Sequence, residues 1–197
     1  MTDAIAAFQL VLAALDRMEI PYYVCGSMAS ANYGFPRQTN DIDIVVDFQV
    51  AELKKFCRLL PTDLYVEGDN FIAIHRSTIL KFDFFPCDGT PFARKQLERR
   101  VHRQSSMPGM ESLEFAVCTA EDSVLSKLEW FREGGQSSSQ QWTDIPAILQ
   151  VQDKVLNYEY LREWAAKLEL TELLEKAFSS ARPSLLPGRA PSSEPVG

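Results

Sequence analysis

Histidine is scarce in this 197-residue chain; only His75 and His102 are present. A His-dependent catalytic triad or a His-rich metal centre is therefore not expected. The four cysteines, Cys25, Cys57, Cys87 and Cys118, stand far apart, with no Cys-x-x-Cys pair and no histidine close by. That removes the usual zinc spacings. Nothing marks the sequence for secretion, so the thiols are expected to be free and mostly buried. No apolar run approaches the ~20 residues of a membrane span. The first residues form an amphipathic stretch bracketed by Asp3 and Asp16, not a basic-then-apolar leader. A cytoplasmic location with no membrane partner is the expectation. Positive charge is also in deficit: the formal net charge is −7. This argues against broad DNA binding, while leaving room for a local basic patch.

What is present suits a globular fold with its own core, since 46% of residues are hydrophobic. Ile5, Phe8, Leu12 and Leu15 recur at helical spacing, which predicts a helix from Asp3 to about Met18. Strands follow at Tyr22-Tyr23-Val24 and Ile42 to Val46, with a short helix at Met28 to Asn32 between them. A helix over 51–60 leads to strands at Leu64 to Val66, Phe71 to Ile74 and Ile79 to Phe85. Gly68-Asp69-Asn70 and Arg76-Ser77-Thr78 read as the turns between these. Pro91 to about Arg103 reads as a helix, and Leu113 to Val117 as a strand. From residue 119 the pattern becomes helical: Thr119 caps a helix to Arg132 that stops at Gly134-Gly135, and further helices run from Ser137 to Val151, Asn157 to Leu168 and Thr171 to Phe178. The expected organisation is an α/β core over 1–118, a helical region over 119–178, and a Pro-rich disordered tail over 179–197.

The chemistry concentrates in two places. Val24-Cys25-Gly26-Ser27 puts a small-residue turn at the end of an apolar strand. Gly26 allows close backbone approach, and Ser27 sits at a helix start, where free N–H groups favour phosphate. Thirteen residues later comes Asp41-Ile42-Asp43. Alternate strand residues share a face, so the two carboxylates lie on one side and Ile42 and Ile44 on the other. Like charges so close call for a cation between them, and oxygen ligands suit Mg²⁺. The apolar run Ile44-Val45-Val46 marks this strand as central, not as a charged solvent-facing edge.

A Gly-Ser turn, a short spacer and an Asp-x-Asp strand together resemble the nucleotidyltransferase superfamily. The resemblance implies an α/β nucleotidyltransferase fold, a small mixed sheet flanked by helices, with a C-terminal helical region. It implies Mg²⁺-dependent (or Mn²⁺-dependent) transfer of a nucleoside monophosphate from an NTP to an acceptor hydroxyl. Asp41 and Asp43 would hold metal, and Gly26 and Ser27 the β- and γ-phosphates. Asp83, in Leu80-Lys81-Phe82-Asp83-Phe84-Phe85, would be a third ligand or the general base; its alternative is a polar residue paired with Lys81 or Arg76. Arg37, just before the Asp pair, is suited to phosphate or to orienting the carboxylates.

Lys127, followed by Leu128, and then Asp144 resemble the AbiEii-type abortive-infection toxin branch of that superfamily. The resemblance implies that Lys127 contacts nucleotide phosphate and that Asp144 helps set the site. It points to a small bacterial group with this fold, shorter than typical AbiEii toxins, with tRNA or a protein as acceptor and an antitoxin-like partner protein. Pro146, just inside the helix after Asp144, is expected to kink or restart it. Arg94, Lys95, Arg99, Arg100 and Arg103 could touch RNA phosphates, although a solvated helix face explains them better. Trp130 and Trp142 could stack on a base, yet their spacing fits core positions better. Two other readings stand beside transfer: a non-catalytic nucleotide binder within a two-protein system and, last, a glycosyltransferase, which leaves Gly26-Ser27 unexplained.

Overall fold

A computed structural model describes residues 2–35, 39–48, 50–66, 71–106, 109–135 and 139–181. Arg37, the Gly68-Asp69-Asn70 turn and most of the expected tail, from 182 onward, lie outside the described residues.

Seven strands form one mixed sheet in the order β3-β4-β5-β2-β1-β7-β6. They are β1 (Tyr22–Val24), β2 (Asp41–Val46), β3 (Leu64–Val66), β4 (Ile72–His75), β5 (Lys81–Pro86), β6 (Val101–Gln104) and β7 (Glu114–Val117). β2 is central, running parallel to β5 and antiparallel to β1; β1 in turn runs parallel to β7. Along β2, Ile42, Ile44 and Val46 are buried while Asp41 is exposed and Asp43 half-buried, the alternation that a strand covered on one face produces. Two helices cover the apolar face. α1 (Thr2–Arg17) inserts Phe8 against Phe82 of β5 and Phe115 of β7, with ring centroids 6.0 and 5.3 Å apart. α3 (Val50–Leu59) sets Phe56 edge-on to Phe84 at 5.1 Å.

On the carboxylate face lies α2 (Gly26–Tyr33), backed by α5 (Ala120–Glu133) and α6 (Ser139–Gln152). α4 (Pro91–Arg99), α7 (Tyr158–Lys167) and α8 (Thr171–Ala181) complete the chain. One hydrophobic core includes sheet residues such as Ile44 and helical residues such as Leu125, Leu128 and Leu161.

Three elements differ from the sequence reading. The helix from Pro91 ends at Arg99, and Val101–Gln104 is an edge strand paired with β7 (Val101 opposite Val117). Arg100 turns extended, at φ −51° and ψ 145°, and β-branched Val101 follows. The basic run favours helix locally, but the unpaired edge of β7 decides the strand. Pro146 does not stop α6, which runs unbroken from Ser139 to Gln152. α8 extends to Ala181, into the first residues assigned to the tail.

The helical half is pinned by polar groups at its start. Thr119 caps α5, accepting from the Asp122 amide at 3.2 Å and donating to Asp122 Oδ2 at 2.8 Å. Asp122 is fully buried; Tyr160 donates to its Oδ1 at 2.6 Å and the Arg99 guanidinium lies 3.5 Å from Oδ2. Arg99 also pairs with Glu121 at 3.1 Å and stacks 3.8 Å over the Tyr160 ring. Burial pushes the Asp122 carboxyl above its ordinary range, and the hydrogen bonds from Tyr160 and Thr119 oppose that shift. Tyr160→Phe is therefore expected to cost about 1–3 kcal/mol in urea unfolding at neutral pH. The loss should shrink as pH falls and Asp122 becomes protonated. A variant as stable as wild type would show that this network carries no stability.

The basic segment does not form one face. Arg94 donates to the Gly89 carbonyl, Lys95 pairs with Glu98, Arg99 is in the network above, Arg100 donates to the Leu97 carbonyl, and Arg103 lies over the Tyr33 ring. Each of the five basic residues thus has a local partner within the chain.

Candidate active site

The turn between β1 and α2 and the strand β2 form one unit. The Cys25 amide donates to the Asp43 carbonyl at 2.8 Å, which seats the turn on the strand. Gly26 adopts φ +56°, a left-handed conformation that suits glycine. A Cβ there would lie 1.8 Å from Asp43 Oδ2 and 2.7 Å from its Cγ. The sequence reading gave Gly26 to a ligand's approach; the close approach observed is to the Asp43 carboxylate itself. α2 begins at Gly26, with Ser27 in its first turn. Both residues border the same cavity as Asp43.

Parallel pairing of β2 and β5 sets Asp43 opposite Asp83 and Asp41 opposite Lys81. The Lys81 ammonium lies 2.8 Å from Asp83 Oδ2 and 3.5 Å from Asp41 Oδ1. Thus the pairing with Lys81, one of the two readings for Asp83, is present, and Asp83 also adjoins Asp43 in register. Burial raises the Asp43 carboxyl above its ordinary range, and the nearby Asp83 and Asp41 add to the rise, while Lys127 and Lys81 lower it. Negative charge in this corner is incompletely compensated.

From the helical side, Lys127 of α5 enters the same cavity. Its side chain is buried, and its ammonium lies 3.0 Å from Asp144 Oδ2 on α6. The chain continues helically past Asp144 despite Pro146, so Asp144 reaches Lys127 from behind. Arg37 lies outside the described residues.

A cavity of about 210 Å³ joins Gly26, Ser27, Asp43 and Lys127; Asp41, Lys81, Asp83 and Asp144 do not line it. Beyond the residues foreseen, Tyr23, Val45, Phe85, Cys87, Gln96 and Trp130 line it. Gln96 accepts from the Tyr23 hydroxyl at 3.1 Å and donates to Ser126 at 2.6 Å, tying α4 to the sheet and α5. No sequence motif announces this wall, because it exists only once α4 folds across the strand ends. Trp142 is partly buried against Phe131, as its spacing suggests, but Trp130 is not core: it is 45% exposed, edge-on to Phe85 at 5.7 Å. All four cysteines are free; Cys118 is buried and the other three are half-buried. Cys25 and Cys118 line the cavity, and burial pushes both thiols well up, which keeps them protonated. A second, wider cleft of about 620 Å³ shares Asp88, Thr90, Phe92, Glu129 and Trp130 with the first and adds Glu133.

Among the described residues, no three His, Cys, Asp or Glu side chains converge as a metal-holding group. Mg²⁺ often takes only one or two carboxylates and completes its shell with water and substrate phosphates. Asp41 and Asp43, on one face of β2 beside the first turn of α2, fit that pattern.

Solved structures with this architecture carry the same kind of core. A crystal structure of ANT(2'')-Ia in complex with adenylyl-2''-tobramycin superposes with TM-score 0.57 at 15% identity, covering 86% of this chain and 98% of that one. An antigenic nucleotidyltransferase-like protein from Paracoccidioides brasiliensis gives 0.54 at 17% identity, covering 90% and 93%. The chain has the nucleotidyltransferase fold. The solution structure of the antibiotic-resistance factor ANT(2'')-Ia agrees, at TM-score 0.53 and 15% identity over 91% and 95% of the two chains. No protein-family model and no curated protein matches the sequence. At these identities the likeness is one of fold. Within the nucleotidyltransferase fold, Gly26, Asp41, Asp43 and Lys127 are placed by the geometry already described.

Proposed function

We propose that this protein transfers a nucleoside monophosphate from an NTP to an acceptor hydroxyl with the help of Mg²⁺. The observation that carries the reading is the interlock of Gly26 with Asp43: the glycine at the start of α2 makes room for the Asp43 carboxylate, which seats one member of the Asp pair directly against the first turn of that helix. Asp41 and Asp43 hold the divalent ion, which when bound neutralises charge on the transferring phosphoryl group. The first turn of α2, at Gly26 and Ser27, receives the β- and γ-phosphates. Lys127, aimed by Asp144, offsets charge that builds on the leaving pyrophosphate. Asp83, beside Asp43 in register, is the proposed acceptor of the substrate hydroxyl's proton. Arg37 is assigned to phosphate from the sequence alone.

The acceptor lies beyond Asp43, where Asp88, Glu129 and Glu133 stand together. Burial, then Glu133, raises the Glu129 carboxyl, while Arg132, 3.8 Å from it, lowers it, and Lys167 lines the same cleft, so the acids outnumber the cations but are partly compensated. An acceptor with positive charge, such as a basic protein segment or an amine-bearing small molecule, suits this rim better than tRNA phosphates do. A toxin-like role of the AbiEii kind, with a neutralising partner protein, would follow from modification of an essential cellular acceptor.

The test is incubation with Mg²⁺ and each α-labelled NTP, adding total RNA, total protein or small-molecule extract in turn. Label transferred by wild type and lost in Asp41→Ala/Asp43→Ala is the expected result and names the acceptor class. One observation favours a second reading: the ammonium of Lys81 already occupies Asp83. On that reading the domain binds nucleotide without transferring it, and NTP would raise the melting temperature while no acceptor became labelled.

A further inference from the structure

Parallel pairing of β2 with β5 places four charged side chains on one face of the sheet: Asp41, Asp43, Lys81 and Asp83. Three are carboxylates. The fourth is an ammonium 2.8 Å from Asp83 and 3.5 Å from Asp41, reaching both from the strand position directly across from Asp41. Lys127, a second cation at the site, lies 3.0 Å from Asp144.

We infer that Lys81 is a resident counter-ion that takes up Asp83, so that the nucleotide-loaded site holds a single divalent ion, between Asp41 and Asp43. Sites with several bridging carboxylates commonly hold two metal ions a few ångströms apart, one for each oxygen of the displacement. Here the position that a second ion would need, beside Asp83, faces a fixed ammonium. Lys81 is tethered at the first residue of β5, with its side chain only 36% exposed, and its backbone amide donates to the Asn40 carbonyl at 2.8 Å. The strand register places the Lys81 backbone opposite Asp41, and from there the ammonium reaches Asp83 at 2.8 Å. Lys81 acts as a positioning residue, orienting Asp83 and setting how many metal ions enter. The inference rests on the metal-dependent nucleotidyltransferase reading.

The experiment is Mn²⁺ titration, read by electron paramagnetic resonance of the free ion, on the full chain saturated with a non-hydrolysable ATP analogue. Wild type is expected to bind one ion. Lys81→Met, which keeps the stem and removes the charge, is expected to bind two. Lys81→Arg, which keeps the charge, should return the count to one, and circular dichroism checks that each variant is folded. Two ions in wild type, or one in folded Lys81→Met, overturns the inference while leaving the transferase reading standing. Wild type that binds neither analogue nor Mn²⁺ overturns the transferase reading, and the inference falls with it.

Discussion

Asp43→Asn is expected to abolish transfer and, at the same time, to raise the melting temperature of the ligand-free protein at neutral pH. The two effects have one cause. Burial and the neighbouring Asp83 and Asp41 raise the folded-state pKa of Asp43 above its unfolded value, near 3.9. Between those two values the folded protein binds more protons than the unfolded chain. Wild-type stability therefore falls as pH rises through that window, and the deficit persists above it. Asparagine is neutral throughout and nearly isosteric, so the variant skips the fall. It keeps the β2 backbone, including the Asp43 carbonyl that receives the Cys25 amide. It loses a charged ligand for the cation, which should lower kcat/KM by on the order of 10³-fold, about 4 kcal/mol. Melting curves from about pH 4 to pH 8 check the sign against the unfolded Asp value. Added Mg²⁺ and NTP should then stabilise wild type and not the variant. A variant that melts lower than wild type at neutral pH without ligand would make Asp43 a structural residue.

Gly26→Ala should be strongly damaging, because Gly26 is the most crowded of the described glycines. The new Cβ would overlap the Asp43 carboxylate, at 1.8 Å from Oδ2, and would sit on a backbone with φ +56°. The left-handed conformation alone costs roughly 1–2 kcal/mol for a side chain bearing Cβ. The overlap must be relieved by rotating Asp43 away or by moving the first turn of α2. Either shift separates the first turn of α2 from Asp43, the two groups proposed to hold phosphate and metal. Transfer is expected to fall by at least about 10²-fold, because an ångström of misplacement is enough for that loss. The double variant Gly26→Ala/Asp43→Ala isolates the cause. If the clash is responsible, removing the carboxylate restores part of the stability lost in Gly26→Ala, giving a clear coupling energy. Additive losses would mean that the backbone strain acts by itself. Ser27→Ala, at a position whose φ is not positive, should be far milder in stability.

These two residues also show how far local sequence reaches. The period-2 alternation of β2 assigned Asp41 and Asp43 to one face and Ile42, Ile44 and Val46 to the core, because side-chain alternation is a property of the extended backbone itself. Capping by Thr119 and Asn157 and the stop at Gly134 were equally local, each being a hydrogen bond or turn within a few residues. The β6 strand was not: Val101–Gln104 continues a helix-favouring basic run, and only the free edge of β7, brought there by the sheet order, makes it extended.

At the site, the sequence by itself determined the chemical groups: a Gly-Ser turn, an Asp pair, a further Asp, a lysine on a capped helix. Tertiary structure decided what each group faces. Asp83 meets Lys81 and Asp43 through the β2–β5 register, Lys127 meets Asp144 through helix packing, and Trp130 leaves the core for the cavity rim because α5 presents that face to the end of β5. Charge compensation is the physical reason for the division. A carboxylate's identity is written in one residue, but its partner is fixed by distances across strands and helices far apart in sequence, and Coulomb interactions depend on those distances.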